Sequence, residues 1–210
     1  MKKRNLLFAL LLTIAMLITA CGGNQSVEGK WIGTLDLTKQ FEDGIKEAYP
    51  DLAEYVAFEE LVFTLDISFV EGQMEMQVQQ ESIDAFNTKF AEGMQSIAEG
   101  YWETGLAEID MTLEEAISES GMTEAAYTEH IYKETGIDKM ITSMSQMVSD
   151  TLDMLSHMKG TYTTPVKDEL RLYYTEDEFE SMTYSFKGKQ LNLTIKGDSF
   201  SLLIQCKRAD

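Results

Sequence analysis

Histidine, cysteine and basic residues are scarce in this 210-residue sequence, and each shortage excludes a class of function. The histidines are His130 and His157, and the cysteines are Cys21 and Cys206. Nucleophilic catalysis needs a base beside the nucleophile, most often histidine, and a zinc site needs three or four clustered ligands. Since the sequence shows neither pattern, we predict a non-enzymatic protein with no catalytic residue, no metal and no cofactor.

The shortage of basic residues makes the chain strongly acidic. It has 17 Lys and Arg against 36 Asp and Glu, a formal net charge of −19. That balance disfavours polyanionic partners, so we expect no nucleic acid and no attraction to anionic lipid headgroups. Because 44% of the residues are apolar, the acidic residues are best interpreted as a solvated surface around a real core.

The first residues have the order of an export signal. Met1-Lys2-Lys3-Arg4 is followed by an apolar run from Leu6 to Ile18 and then by small residues. The run is shorter than the roughly 20 residues that span a bilayer, and no second run appears downstream. We therefore predict a signal peptide over residues 1–20 and no membrane-spanning helix.

Ile18-Thr19-Ala20-Cys21 resembles the lipobox of bacterial lipoproteins. The resemblance implies that Cys21 receives a lipid, becomes the first residue of the mature chain, and makes the lipid bilayer a partner. The protein would then sit on the extracytoplasmic face of the cell membrane, with residues 21–28 as a flexible tether. The alternative is an ordinary cleaved signal with an incidental cysteine.

Residues 29–210 are expected to form one domain, because apolar residues alternate at both ends of this range. Alternation covers 30–37, 61–69, 74–79, a segment near Tyr162, 170–174, 182–186, 191–195 and 200–206. Turns are predicted at Glu71-Gly72, Gly188 and Gly197-Asp198, and Cys206 should point inward. The fold class is therefore α+β, an antiparallel barrel-like sheet of about eight strands, with short helices after the first strand and a large helical insertion at about 83–159.

Capping signals divide the insertion. Thr112 with Glu115 forms a capping box, Thr123 is a second N-cap, and Gly121 and Gly136 are helix ends. A methionine row follows on the last helix, and three interpretations stay open for it: an irregular core, an adaptable apolar groove, or thioether ligands for Cu(I). The row consists of Met140, Met144, Met147, Met154 and Met158.

Gly29-Lys30-Trp31 resembles the G-x-W signature of lipocalins and related calycin barrels. The resemblance implies that Trp31 closes one end of a barrel and packs on a basic residue of the last strand. Lys207 and Arg208 are the candidates, and Trp31 with Arg208 is the predicted barrel-closing pair. The chain lacks the T-D-Y motif of lipocalins and carries helices between its strands. It is also similar to lipocalin-like lipoproteins of Gram-positive bacteria, which implies a fold and a location but no activity.

Two functions follow as hypotheses. The first is a binding module for an apolar small molecule or peptide, with Phe63, Ile67, Phe69, Met140, Met144 and Met147 as ligand-lining candidates. It requires a cavity of roughly 300 Å³ or more. The second is a protein-interaction or chaperone-like role, because residues 112–135 resemble the helical substrate-holding regions of extracytoplasmic chaperone lipoproteins. It requires an exposed apolar patch on the insertion.

Overall fold

The computed structural model describes residues 26–197 and 200–209, so the predicted signal peptide and Cys21 lie outside the described residues. Eight antiparallel strands follow one another around a closed barrel, which confirms the predicted fold class. Strand β1 pairs with both β2 and β8, so the sheet has no free edge along β1. The strands are β1 Gly29–Asp36, β2 Val62–Val70, β3 Gln73–Val78, β4 Lys159–Thr163, β5 Glu169–Tyr173, β6 Phe179–Lys187, β7 Gln190–Lys196 and β8 Ser201–Arg208.

Period-two alternation explains the strands, since every second side chain points into the barrel. In β2 the inward residues Phe63, Leu65, Ile67 and Phe69 are buried. The β2–β3 turn is Glu71-Gly72, and both residues have positive φ (52° and 76°), which matches the twist of the two strands. This turn was predicted from the sequence.

The helices occur in the two predicted places. Helix α1 (Thr38–Ala48) and a 3₁₀ turn (Pro50–Leu52) lie between β1 and β2. Between β3 and β4 lie α2 (Gln80–Ala107), α3 (Leu113–Ser120), α4 (Glu124–Thr135) and α5 (Ile137–Ser156). The capping box of Thr112 with Glu115 and the N-cap at Thr123 are confirmed, as are the left-handed helix ends at Gly121 and Gly136. The insertion thus begins at Gln80 and ends at Ser156.

The strand directions give the barrel two different ends. Strand β1 runs away from the end where the chain enters, so the start of β1, the β2–β3, β4–β5 and β6–β7 connections and the end of β8 all lie together. We call this the Trp31 end. All the helices follow strands that finish at the opposite end, which we call the helical end. Among the described residues, no helix is long and apolar enough to cross a membrane.

Candidate functional site

A network of contacts closes the Trp31 end. The guanidinium carbon of Arg208 lies 4.3 Å from the centroid of the Trp31 ring. Arg208 also donates from Nη1 to the carbonyl oxygen of Glu28 (2.5 Å) and from Nη2 to that of Ser26 (3.3 Å). The indole Nε1 of Trp31 donates to the carbonyl oxygen of Val27 (2.7 Å), and Val27 is buried. The structure therefore places the predicted pair together and adds the segment Ser26–Glu28 as its third member.

Tyr162 on β4 holds the same segment from the other side. Its hydroxyl donates to a carboxylate oxygen of Glu28 (2.5 Å), and its ring contacts Phe69 edge-on. Partial burial and this hydrogen bond raise the pKa of Tyr162 well above its usual range. The last three residues of the predicted tether are therefore bound to the barrel, and we call Ser26–Glu28 with Trp31, Tyr162 and Arg208 the N-terminal clasp.

Gly29 makes the clasp possible. Its φ of 118° is a conformation that L side chains rarely adopt, and a Cβ there would overlap Nη1 of Arg208. This gives a physical reason for the glycine two residues before the tryptophan. Sequence patterning missed Tyr162 and Glu28, because these partners lie 134 positions apart and no spacing rule connects them.

The barrel interior is filled by the protein's own side chains. Phe63 and Phe69 are completely buried, and Ile67 is 1% exposed. Residues that line a ligand-sized cavity would have surface accessible to solvent inside the barrel. Inward-facing residues on the other strands have none, since they are fully buried as well. Eight strands enclose an interior that side chains can fill. Leu35, Leu65, Met74, Leu170, Leu172, Met182, Leu191, Leu193, Ile195, Ile204 and Cys206 share this burial.

Aromatic packing closes the helical end of the barrel. The rings of Phe63 on β2 and Phe86 on α2 are stacked, with centroids 4.4 Å apart. Phe41 on α1 meets Phe86 and Phe90 edge-on at 5.8 and 5.6 Å. Because Phe63 already faces Phe86, it belongs to the junction between barrel and helices.

The methionine row divides between core and surface. Met140 and Met144 are buried within the helical insertion, whereas Met147 is 54% exposed. The three aromatic or aliphatic candidates lie in the barrel and the three methionines lie on α5, so the structure does not bring the six ligand-lining candidates together. Two grooves open to solvent lie elsewhere on the molecule, and none of the six candidates lines either of them.

A groove of about 610 Å³, open to solvent, lies between β3, the start of α2 and α5. Strand β4 pairs with β3 only along Gln73–Glu75, so the remainder of β3 has α5 as its neighbour instead of a strand. We call this the β3–α5 groove. It is lined by Glu75, Met76, Gln77, Val78, Ile83, Ser149, Leu152, Asp153 and Ser156. A smaller groove of about 310 Å³ lies between β2 and α2.

The β3–α5 groove combines apolar and acidic groups. Val78, Ile83 and Leu152 are half-buried and supply apolar surface, Met76 is buried, and the remaining lining residues are polar. Two of those are carboxylates and none is basic. Glu75 is paired with Lys159 at 2.8 Å, whereas the carboxylate of Asp153 has, among the described residues, an ion-pair partner only in His157, at 3.6 Å. The groove therefore suits a ligand with an apolar body and a positive charge.

Ser156 and His157 at the groove edge do not form a nucleophile with its base. The Ser156 hydroxyl donates to the carbonyl oxygen of Asp153 at 2.7 Å, while its distance to His157 Nδ1 is 3.5 Å. His157 Nδ1 is itself 2.7 Å from the same carbonyl oxygen. The Ser156 hydroxyl and the His157 ring nitrogen are thus both directed at the backbone of Asp153. The second histidine, His130, packs against Trp102 and Tyr127.

Metal ligands and the Cys206 thiol are the other candidates for chemistry. Within residues 26–197 and 200–209, no three His, Cys, Asp or Glu side chains are placed to hold a metal ion together. Cys206 is fully buried, and the loss of solvent raises the pKa of its thiol to about 12. A thiol that stays protonated is a poor nucleophile and a poor metal ligand.

In comparisons with protein-family models, with curated proteins and with solved structures, nothing matches this chain. The lipocalin resemblance consequently rests on the closed eight-stranded barrel and on the contact between Trp31 and Arg208.

Proposed function

We propose that this protein is a lipid-anchored, extracytoplasmic, non-enzymatic binding module whose ligand site is the β3–α5 groove. The observation that carries the proposal is the contrast between the filled barrel and this groove. Ligand pockets usually measure about 300–1,000 Å³ and combine apolar walls with a few polar groups, and the groove has both properties. The groove takes the place of the six ligand-lining candidates predicted from the sequence, which lie in the barrel and on α5.

The ligand class follows from the lining of the groove. Leu152 and Ile83 offer half-buried apolar surface to a ligand body, and the carboxylate of Asp153 faces the same space without a strong cationic partner. A peptide or small molecule with an apolar group beside an ammonium or guanidinium group meets both requirements. A neutral or anionic apolar molecule would give the Asp153 carboxylate no cationic partner, whereas Glu75 already has Lys159.

Native mass spectrometry of the detergent-extracted full protein from its own host tests the groove. We expect bound mass in excess of the lipidated chain in the wild type. Ser149→Phe, which fills the groove from an exposed position on α5, should lose that mass. Ser143→Phe is the matched control, because Ser143 is exposed on the same helix and does not line the groove. No bound species in the wild type, or equal loss in both variants, contradicts the proposal.

The lipid anchor has its own test. Mass spectrometry of the N-terminal peptide should find a diacylglycerol and any added acyl chain on Cys21, and Cys21→Ser should release the protein from the membrane fraction. An unmodified Cys21 would overturn the anchor and leave the groove proposal standing.

A second candidate function, docking of a protein on the helical insertion, is favoured by one observation. Ile109, Met122 and Met147 are exposed large apolar side chains on the insertion. Burial of Met140, Met144 and Met158 counts against a broad apolar surface there. Met147→Glu should abolish co-purification of a protein partner if this candidate is right, and should leave the groove-bound mass unchanged.

A further inference from the structure

The Trp31 end carries a charge opposite to that of the whole chain. The strand directions collect six cationic residues there, from the β1 start, the β4–β5 and β6–β7 connections and the β8 end. Among residues 26–197 and 200–209, three acidic residues, Glu28, Glu71 and Asp168, accompany them, while Glu169 is paired with Arg171. Asp210, which follows β8 in the sequence, lies outside the described residues. The six are Lys30, Lys167, Lys187, Lys189, Lys207 and Arg208.

The lysines at the Trp31 end are exposed and lack ion-pair partners within the described part of the chain. All five lysines are exposed, and none of them lies within ion-pair distance of a carboxylate in residues 26–197 and 200–209. Most described lysines elsewhere, namely Lys39, Lys46, Lys89, Lys133 and Lys159, do have acidic partners. The barrel registers place Lys187 and Lys189 beside the end of β8, so their charges adjoin those of Lys207 and Arg208.

The helical end has the reverse balance. Residues 80–158 contain 16 Asp and Glu and three Lys. The molecule is therefore a charge dipole, positive at the Trp31 end and strongly negative at the helices. A single net charge hides this asymmetry, which is why the sequence alone argued against anionic headgroups.

The proposed anchor enters at the positive end. The N-terminal clasp holds Ser26–Glu28 against the barrel, so only residues 22–25 separate Cys21 from fixed structure. Five Cα–Cα steps from Cys21 to Ser26 span at most about 17 Å. Such a short connection keeps the Trp31 end within a tether length of the bilayer, where basic residues are attracted to anionic lipid headgroups.

Resting on the proposed lipid anchor, we infer that the Trp31 end lies against the anionic headgroups of the bilayer and holds the helical insertion outward. Val166 and Val70, which are 57% and 45% exposed at the same end, supply apolar contact with the interface. The β3–α5 groove, which includes residues from α5, is then kept toward the external medium.

The two tryptophans of the chain allow a direct test, since Trp31 marks one end and Trp102 lies in the helical insertion. Full-length lipidated protein is reconstituted into vesicles that contain a dansyl-labelled lipid, with or without phosphatidylglycerol in phosphatidylcholine. The variant Trp102→Phe reports Trp31 alone, and the difference from wild type reports Trp102. We expect stronger energy transfer from Trp31, and a further increase with phosphatidylglycerol. Equal transfer, or stronger transfer from Trp102, overturns the inference.

Charge-reversal variants show whether the Trp31 end approaches the bilayer through electrostatic attraction or only because the tether is short. Lys187→Glu with Lys189→Glu should abolish the increase caused by phosphatidylglycerol, and raised salt should do the same to the wild type. The matched control, Lys133→Glu with Lys139→Glu, makes the same change in net charge on the insertion and should keep the increase. Mass spectrometry of the same preparation shows whether Cys21 is lipidated. Lipidated protein that lacks the expected transfer defeats the orientation alone, whereas an unlipidated Cys21 defeats the anchor proposal itself.

Discussion

Arg208 covers the indole ring of Trp31 at 4.3 Å, and the same guanidinium binds the backbone of the chain that enters the barrel. The contact joins the first and last strands, which also pair directly from Trp31↔Arg208 to Leu35↔Ile204. One side chain therefore stabilises barrel closure and the path of the N-terminal segment.

Arg208→Ala should lower the free energy of unfolding by about 1–3 kcal/mol. The estimate combines a cation–π contact with hydrogen bonds from a charged donor. Urea unfolding followed by circular dichroism measures it. Lys207→Ala is the control, because the neighbouring Lys207 points outward and an exposed substitution of this kind usually changes stability by under about 0.5 kcal/mol. Equal effects at both positions would mean that the clasp does not stabilise the fold.

The stacked pair Phe63 and Phe86 should couple the barrel to the insertion. Each is buried, so Phe63→Ala or Phe86→Ala should cost about 3–5 kcal/mol. A double-mutant cycle with Phe→Leu at both positions should give a coupling of about 0.5–1.5 kcal/mol. Phe63 with Ile195, which is buried on β7 three strands away around the barrel, serves as an unstacked comparison. A Phe63–Phe86 coupling near zero would show that the stack adds nothing beyond burial.

The sequence predicted the barrel and the insertion because each depends on local patterns. Alternation in Leu61–Phe69, the Glu71-Gly72 turn and the Thr112–Glu115 capping box are rules that span a few residues, and all three hold in the structure. The ends of two strands differ from the prediction by one residue. Strand β5 ends at Tyr173, before Tyr174, and β8 begins at Ser201, after Phe200.

The site could not be predicted in the same way. The β3–α5 groove exists because β4 begins at Lys159 and leaves the end of β3 beside α5, which is a consequence of tertiary packing. Inward alternation of Phe63 and Phe69 predicted burial correctly, but alternation alone cannot distinguish a filled interior from a cavity. Asp153 and Leu152 looked like ordinary helix positions until the fold placed them opposite β3.

Two glycines should respond in opposite directions to alanine. A methyl group at Gly160 would overlap the carbonyl oxygen of Tyr173 on the neighbouring strand, and backbone cannot move aside cheaply. Gly160→Ala should therefore lower the free energy of unfolding by about 1–3 kcal/mol. Gly44 lies within α1 with nothing near its Cβ position, so Gly44→Ala should raise that free energy by about 0.5–1 kcal/mol. Urea midpoints that move in the same direction for both variants would contradict the packing at β4 and β5.

Cys206 should be unreactive in the folded protein and should make stability depend on alkaline pH. Its thiol is buried with a pKa raised to about 12 by desolvation, so a maleimide reagent at pH 8 should label it only after unfolding in urea. A free thiol in the unfolded chain ionises near pH 8.5. Below that pH both states are protonated and the contribution of the thiol is intact. Between about pH 8.5 and 12 the unfolded chain holds fewer protons, so this contribution falls by up to about 1.4 kcal/mol per pH unit.

The Cys206→Ala variant isolates that effect from the titration of lysine and tyrosine. We expect the difference in unfolding free energy between wild type and variant to be constant up to about pH 8.5 and to shrink above it. A difference that stays constant to pH 11, or rapid labelling of the folded protein, would show that solvent reaches the thiol. Cys206 points into the barrel from β8, which lies between β7 and β1. Solvent access to its thiol would therefore mean that the interior is not filled. The barrel interior, rather than the β3–α5 groove, would then be the better candidate for the ligand site.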